Sequence, residues 1–476
     1  MPATRLYAAL RDGEVGARYT APTMSLPALV ALLFTLTALL SALNARFLRL
    51  PPTIGVLLGG LVLAAAVAAL GALGVAQAAE VRGLLLAVPF DRLVMEGLLS
   101  FLLFASAVQT DVRALLRERG VIAGLAVVTT LVTMLALVGG LYLVTGWLGQ
   151  PLTLAQALLF GAIVAPTDPV AVMPLLERAG VPERLRALVA GESLFNDGVG
   201  VAAFTVLSAA AVGGAGGDGP LDVARIGTLL AREMLGGIAL GALLGVLTAR
   251  LTRLARDQTT AVLLSLALVT GGYALGEVFG VSAPVTVAAG GVTLILLLRV
   301  SRARRQEAGH LSRREAEDTR RIRSFWEVLD QVLNAVLFVL LALEALVVNL
   351  RPELLGVGVA VALLSVAARG LGVWLPLTLY QAQARRAGPG AQRQASARRL
   401  NLRPFAPYTR RLMTWAGLRG GVALALAFSL PAGELRDRLL FLTYVVVLFS
   451  LLVQGLTVPL LARRVVAADP DTRPPA

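Results

Sequence analysis

Apolar runs of about 20 residues recur from Ser25 to Val465, and this recurrence limits the fold more than any other feature of the chain. A run of that length crosses the hydrocarbon core of a bilayer as one helix. No water reaches the core, so each segment must satisfy its own backbone groups, which the α-helix does. Composition agrees. Only 15% of the residues are charged and 57% are hydrophobic, with a mean hydropathy of +0.78; soluble domains carry about 25% charged residues. The chain is therefore read as an all-α polytopic membrane protein.

Thirteen spans are predicted, at about 25–46, 52–75, 92–112, 120–148, 152–176, 183–213, 225–250, 258–277, 281–299, 325–349, 354–383, 411–431 and 435–465. An odd count puts the termini on opposite sides. With the C-terminus inside, 31 arginines fall in inside segments or the span ends beside them, 10 in outside segments or the span ends beside them, and two, Arg369 and Arg419, deep within spans. That asymmetry is what the positive-inside rule expects, and shifting the count by one would scramble it. The formal net charge of +14 is thus accounted for by topology, and a nucleic-acid partner is not needed. The N-terminus is placed outside and the C-terminus in the cytoplasm. Two arginine-rich inside loops are expected near 300–324 and 384–410, and the Gly213–Gly219 cluster reads as a flexible outside connector.

Missing residue types exclude whole classes. All 43 basic residues are arginine, so neither a Walker A loop nor a lysine Schiff base can be built. There is no cysteine, hence no disulfide or thiolate metal site. The single histidine, His310, falls in a charged loop and reads as solvated. Residues 1–24 are mixed and polar, without the basic-then-apolar pattern of a cleaved signal peptide. No cofactor is expected.

Thirteen divides as six, one and six, with the first and eighth spans running in opposite directions, so the halves form an inverted repeat. The fifth member of each half, spans 5 and 12, is interrupted. Span 5 carries Pro166, Thr167, Asp168 and Pro169, with Pro174 beyond; span 12 carries Gly417, Arg419, Gly420 and Gly421. Proline removes helical hydrogen bonds and glycine loosens the helix. Breaks at matching places of inverted halves point to a transporter site near the midplane.

Ionisable groups in hydrocarbon are costly and usually functional. Here they gather as Thr167 and Asp168 in span 5, Glu192, Ser193, Asn196 and Asp197 in span 6, Arg369 in span 11 and Arg419 in span 12. Glu344, near the outer end of span 10, is expected to snorkel. Ser193 and Asp197 are four residues apart and share a helix face, with Glu192 and Asn196 as a neighbouring pair. These hard oxygens suit Na⁺, and carbonyls freed by the break at Thr167 would add ligands. Three acids face two arginines, which leaves one carboxylate uncompensated. Burial favours its protonated form, so a proton and a cation would compete for it.

Three runs carry a resemblance: Ala165-Pro-Thr-Asp-Pro-Val-Ala-Val172, Gly191-Glu-Ser-Leu-Phe-Asn-Asp-Gly198 and Gly417-Leu-Arg-Gly-Gly-Val422. With Phe325-Trp-Glu-Val-Leu329, Leu48-Arg-Leu-Pro-Pro-Thr-Ile-Gly55 and the helix of Arg369, the chain resembles the cation:proton antiporter-1 family, the sodium/proton exchangers, over nearly all of 25–465. The resemblance implies a homodimer in a bacterial-type inner membrane, embedded in lipid, with a six-helix core moving against dimerisation helices in an elevator-like cycle. It divides the chain into a polar segment 1–24, a transmembrane antiporter domain 25–466 and a short cytoplasmic tail 467–476. It implies that Asp197 binds the ion and the proton in turn. Ser193, Glu192 and the Thr167 carbonyl would help ligate Na⁺, and Asp168 would act through water. Arg369 would pair with Glu192, and Arg419 would steady the crossing of the broken helices. Asn196 stands where electrogenic relatives carry a second aspartate, which implies electroneutral one-for-one exchange. The short tail implies neither hormone nor calmodulin control.

The expected substrates are thus Na⁺ or Li⁺ and H⁺, with a K⁺/H⁺ antiporter of the same fold as the alternative. An ion channel would need polar residues along several helices, whereas these gather at one depth. An intramembrane enzyme would need a second apolar pocket or a metal cluster for its acids to work with.

Overall fold

The computed structural model describes residues 26–75, 81, 83, 90–110, 118–147, 149, 151–169, 171–212, 223–254, 257–307, 313–346, 348, 351–386 and 408–467. The polar segment 1–24, the Gly213–Gly219 connector, His310, nearly all of the 467–476 tail and most of the 384–410 loop lie outside them. Every element among the described residues is helical. In chain order these are α1 (Leu26–Leu43), α2 (Pro52–Ala72), α3 (90–109), α4 (119–147), α5 (Leu154–Val164), α6 (Met173–Arg178), α7 (Glu183–Val212), α8 (Val223–Leu254), α9 (Gln258–Phe279), α10 (Ala283–Glu307), α11 (Arg313–Leu343), α12 (Leu355–Arg386), α13 (Tyr408–Trp415), α14 (Gly421–Phe428) and α15 (434–467). Nine helices among the described residues are long and apolar enough to cross a membrane.

Helix also extends past two predicted boundaries. The loop expected at 300–324 is largely helical, because α10 runs on to Glu307 and α11 begins at Arg313. The residues there are mostly arginine, glutamate and alanine, good helix formers once outside the bilayer.

One compact unit comprises residues up to Phe90 together with Phe338–Val348. Its corner follows from the Leu48–Gly55 run. Pro52 opens α2 at a position where its missing N–H costs nothing. Arg49 takes the left-handed conformation at φ 52°, and Asn44 clasps Leu50 in both directions, donating at 3.1 Å and accepting at 3.2 Å. A side chain at Gly55 would overlap the Asn44 carboxamide. In the same unit Glu344 is only 5% exposed, in the short 3₁₀ turn Glu344–Leu346. The snorkelling expectation is therefore corrected. The helix tightens and turns at Glu344 instead of carrying it on to a surface.

The second unit holds residues 91–337 and 349–476. There α8 packs on α10 through small residues at four-residue spacing. Gly241 and Gly245 lie so close to the Thr286 and Gly290 carbonyls that no side chain would fit, the close approach that membrane helices use. Trp326 on α11 is fully buried, packs its ring at a tilt against Phe104 with centroids 4.6 Å apart, and donates its indole N–H to Ser265 at 2.9 Å. The Phe325–Leu329 run thus pins α11 to α3 and α9.

Candidate ion-binding site

The two interruptions fall where proline and glycine predicted them. Helix α5 stops at Val164, and α6 resumes at Met173; α13 stops at Trp415, and α14 resumes at Gly421. The extended stretches bond to each other, the Asp168 N–H donating to the Leu418 carbonyl at 2.8 Å. The Arg419 N–H donates to Ser450 Oγ at 2.8 Å, and its Nη1 donates to the Pro166 carbonyl at 3.3 Å. Orphan backbone groups made by one break are in this way satisfied by the other and by α15. Glycine is required at this crossing. A Cβ at Gly420 would overlap the Asp168 carboxylate, and one at Gly417 would lie 2.6 Å from Arg369 Nε.

Helix α7 passes beside the crossing and brings its polar turn to it. Glu192, Ser193, Asn196 and Asp197 are all buried, as are Thr167, Arg369 and Arg419. Arg369 grips Glu192 in a bidentate pair, with Nη1 to Oε1 and Nη2 to Oε2 both at 2.6 Å. Asn196 Nδ2 donates to Glu192 Oε1 at 2.9 Å and to Thr167 Oγ1 at 2.7 Å, while its Oδ1 accepts the Thr167 N–H at 3.3 Å. The Thr167 and Ser193 hydroxyls stand 3.2 Å apart. Both oxygens of Glu192 and the whole Asn196 amide are therefore engaged within the protein. A cation would have to share them.

Asp197 differs. It is 5% exposed, yet its carboxylate makes no hydrogen bond or ion pair to another described residue. The charged groups that bear on it are Asp168, Glu192 and Arg419. The Thr167 carbonyl likewise accepts no hydrogen bond from a described residue. An unpartnered buried carboxylate one helical turn from the Ser193 hydroxyl, which in turn stands beside Thr167, gathers oxygens of the kind a small hard cation takes. No cluster of three or more metal-ligating His, Cys, Asp or Glu side chains occurs among the described residues.

All eight predicted residues meet at the crossing. Sequence reasoning missed Ser450 and Gln454, which serve the break from α15, with Gln454 Nε2 donating to the Trp415 carbonyl at 3.3 Å. It also missed Asp330. This acid lies on α11 within the predicted tenth span and bears electrostatically on Asp168. Polar residues recurring in an otherwise apolar run were the available signal.

Two interrupted helices crossing beside buried, partly unpaired charge define a secondary-transporter architecture. Over residues 32–464 the chain matches the sodium/hydrogen exchanger transmembrane family, and it belongs to that family. This is a family of transporters, not enzymes. The Na⁺/H⁺ antiporter NhaP of Pseudomonas aeruginosa is 36% identical over 93% of this chain and 97% of its own length. The Na⁺/H⁺ antiporter NhaH of Halobacillus dabanensis is 30% identical over 88% and 93%. The structure of the sodium proton antiporter MjNhaP1 from Methanocaldococcus jannaschii aligns with a TM-score of 0.65 over 91% of this chain and 96% of that one, at 21% identity. That likeness establishes the fold.

Proposed function

We propose that this chain exchanges Na⁺ for H⁺ across a bacterial-type inner membrane, the two ions competing for Asp197. The observation that carries the reading is the unpartnered buried Asp197 carboxylate beside a network in which Arg369 and Asn196 engage both Glu192 oxygens. Antiporters of the same family as relatives over most of the chain support it. Na⁺ bound to the Asp197 carboxylate would take further oxygens from Ser193 Oγ and the Thr167 carbonyl. Asp168, at the crossing, would contribute through water, and Glu192 would add charge while Arg369 holds it. Arg419 would keep the two breaks in register, so that the carbonyls remain presented to the ion.

The same reading places thirteen crossings in two inverted halves, with the N-terminus outside and the arginine-rich side in the cytoplasm. It takes the chain as a homodimer whose core moves in an elevator-like cycle. Asn196 is neutral and fully committed to Thr167 and Glu192, so the exchanging site carries one net negative charge. A one-for-one, electroneutral exchange follows.

In proteoliposomes given an inward Na⁺ step, the lumen should alkalinise, with the same initial rate under an imposed voltage of either sign. Li⁺ and K⁺ steps in the same assay rank the cations. A lumen that fails to alkalinise with any of the three would contradict antiport, and a strong voltage dependence would contradict the one-for-one ratio.

A further inference from the structure

We propose that Asp330 and Asn334 on α11 form a peripheral cation station through which a monovalent cation passes on its way to Asp168 and Asp197; the inference deepens, and rests on, the exchange reading.

The two residues are one turn apart. Asn334 Nδ2 donates to the Asp330 backbone carbonyl at 2.8 Å and to its carboxylate Oδ1 at 3.0 Å. The Gln109 side chain at the end of α3 also hydrogen-bonds the carboxylate, and the Gln109 backbone carbonyl is in turn held by Arg323. The carboxylate is thus fixed from two helices. Asp168 and Glu327 are the further acids that bear on it, so this part of the molecule concentrates negative charge.

Acidic residues alone would not mark a site, but Asn334 supplies a second sign. It is 2% exposed, and its Oδ1 has no hydrogen-bond partner. The two acceptors on Asp330 fix which way the amide points, because flipping it would set an oxygen against a carboxylate. A buried acceptor left without a donor is costly. Beside a carboxylate, a cation or its hydration water is the partner that relieves it. Exposure supports a path. Asp330 and Asp168 are each partly accessible, whereas Asp197 is almost fully enclosed. Gln109 ends α3 just before Arg113, Arg117 and Arg119 in the sequence, and Arg323 lies in the arginine-rich first part of α11, so the station is assigned to the arginine-rich side of the exchange site. The repulsive field of those arginines is what an acid at the mouth would offset.

The test is a Na⁺ titration of transport in proteoliposomes at low and at about 0.5 M ionic strength, made up with choline chloride, where screening shortens to a few ångströms. Asp330→Asn should raise the apparent KM for Na⁺ about five- to tenfold with kcat within about twofold of wild type. The difference should shrink at high ionic strength, and Asp330→Glu should restore KM to within about twofold. Asn334→Leu, which removes the amide oxygen at similar volume, should raise KM in the same direction and serves alone if Asp330→Asn does not fold. An unchanged KM in these variants would overturn the station. So would a joint fall of kcat and kcat/KM that is indifferent to salt and not rescued by glutamate. A wild-type protein that moves no protons would overturn both this inference and the exchange reading.

Discussion

Asp197→Asn is expected to abolish Na⁺-driven proton movement, lowering the initial rate in proteoliposomes by at least about 100-fold while leaving the purified protein folded. Asparagine matches aspartate in size and keeps the α7 backbone, but it neither binds a proton at these pH values nor offers a cation its charge. At about 1.36 kcal/mol per tenfold, a 100-fold loss needs only about 2.7 kcal/mol. The effective penalty for an ion left uncompensated in a low-dielectric interior is several kcal/mol. The Glu192 carboxylate cannot substitute, because Arg369 and Asn196 engage both of its oxygens. Size-exclusion profiles alongside the transport rates separate lost chemistry from lost fold. An Asp197→Asn protein with wild-type rates would mean that the exchanging group lies elsewhere.

The second large effect concerns stability. The Arg369–Glu192 pair is 3% and 0% exposed, and removing one member leaves the other charged and buried. Arg369→Leu or Glu192→Gln alone is expected to cost about 3–5 kcal/mol, seen as a marked drop in the thermal unfolding midpoint of the detergent-solubilised protein. The double variant removes both charges, and glutamine keeps a carbonyl for Asn196 Nδ2. It should therefore recover a large part of the loss, with a coupling energy of about 2 kcal/mol or more in the double-mutant cycle. Purely additive losses would show that the two side chains do not rely on each other.

Much of this site was legible in the sequence because bilayer physics makes polar residues conspicuous. Asp168, Glu192, Asp197, Arg369 and Arg419 stood out against apolar runs, and the prolines and glycines marked both breaks. Spacing also put Ser193 and Asp197 on one face of α7. What spacing could not say was which groups are already satisfied. Counting charges left one carboxylate over without saying which; only the bidentate grip of Arg369 on Glu192 and the threefold engagement of Asn196 single out Asp197 as the group left over.

The residues that escaped notice did so for local reasons. Asp330 follows an arginine-rich, amphipathic start to α11 and blends with a solvated face, while Ser450 is a single hydroxyl in an apolar helix. Glu344 was read as snorkelling because its helix was expected to run on; the turn that buries it follows from tertiary packing. The 300–324 stretch reads as an inside loop because its arginines end the apolar runs on either side, although arginine and glutamate are good helix formers.

Competition at Asp197 is the central claim, and proton release on Na⁺ binding tests it most directly. Titrating NaCl into purified protein in weakly buffered detergent solution should release close to one proton per Na⁺ bound at low pH. Apparent Na⁺ affinity should weaken about tenfold for each pH unit lowered through that range, the limit for one ion displacing one proton. The Asp197→Asn protein should release none. Na⁺ binding with no proton release, at an affinity indifferent to pH, would contradict the account.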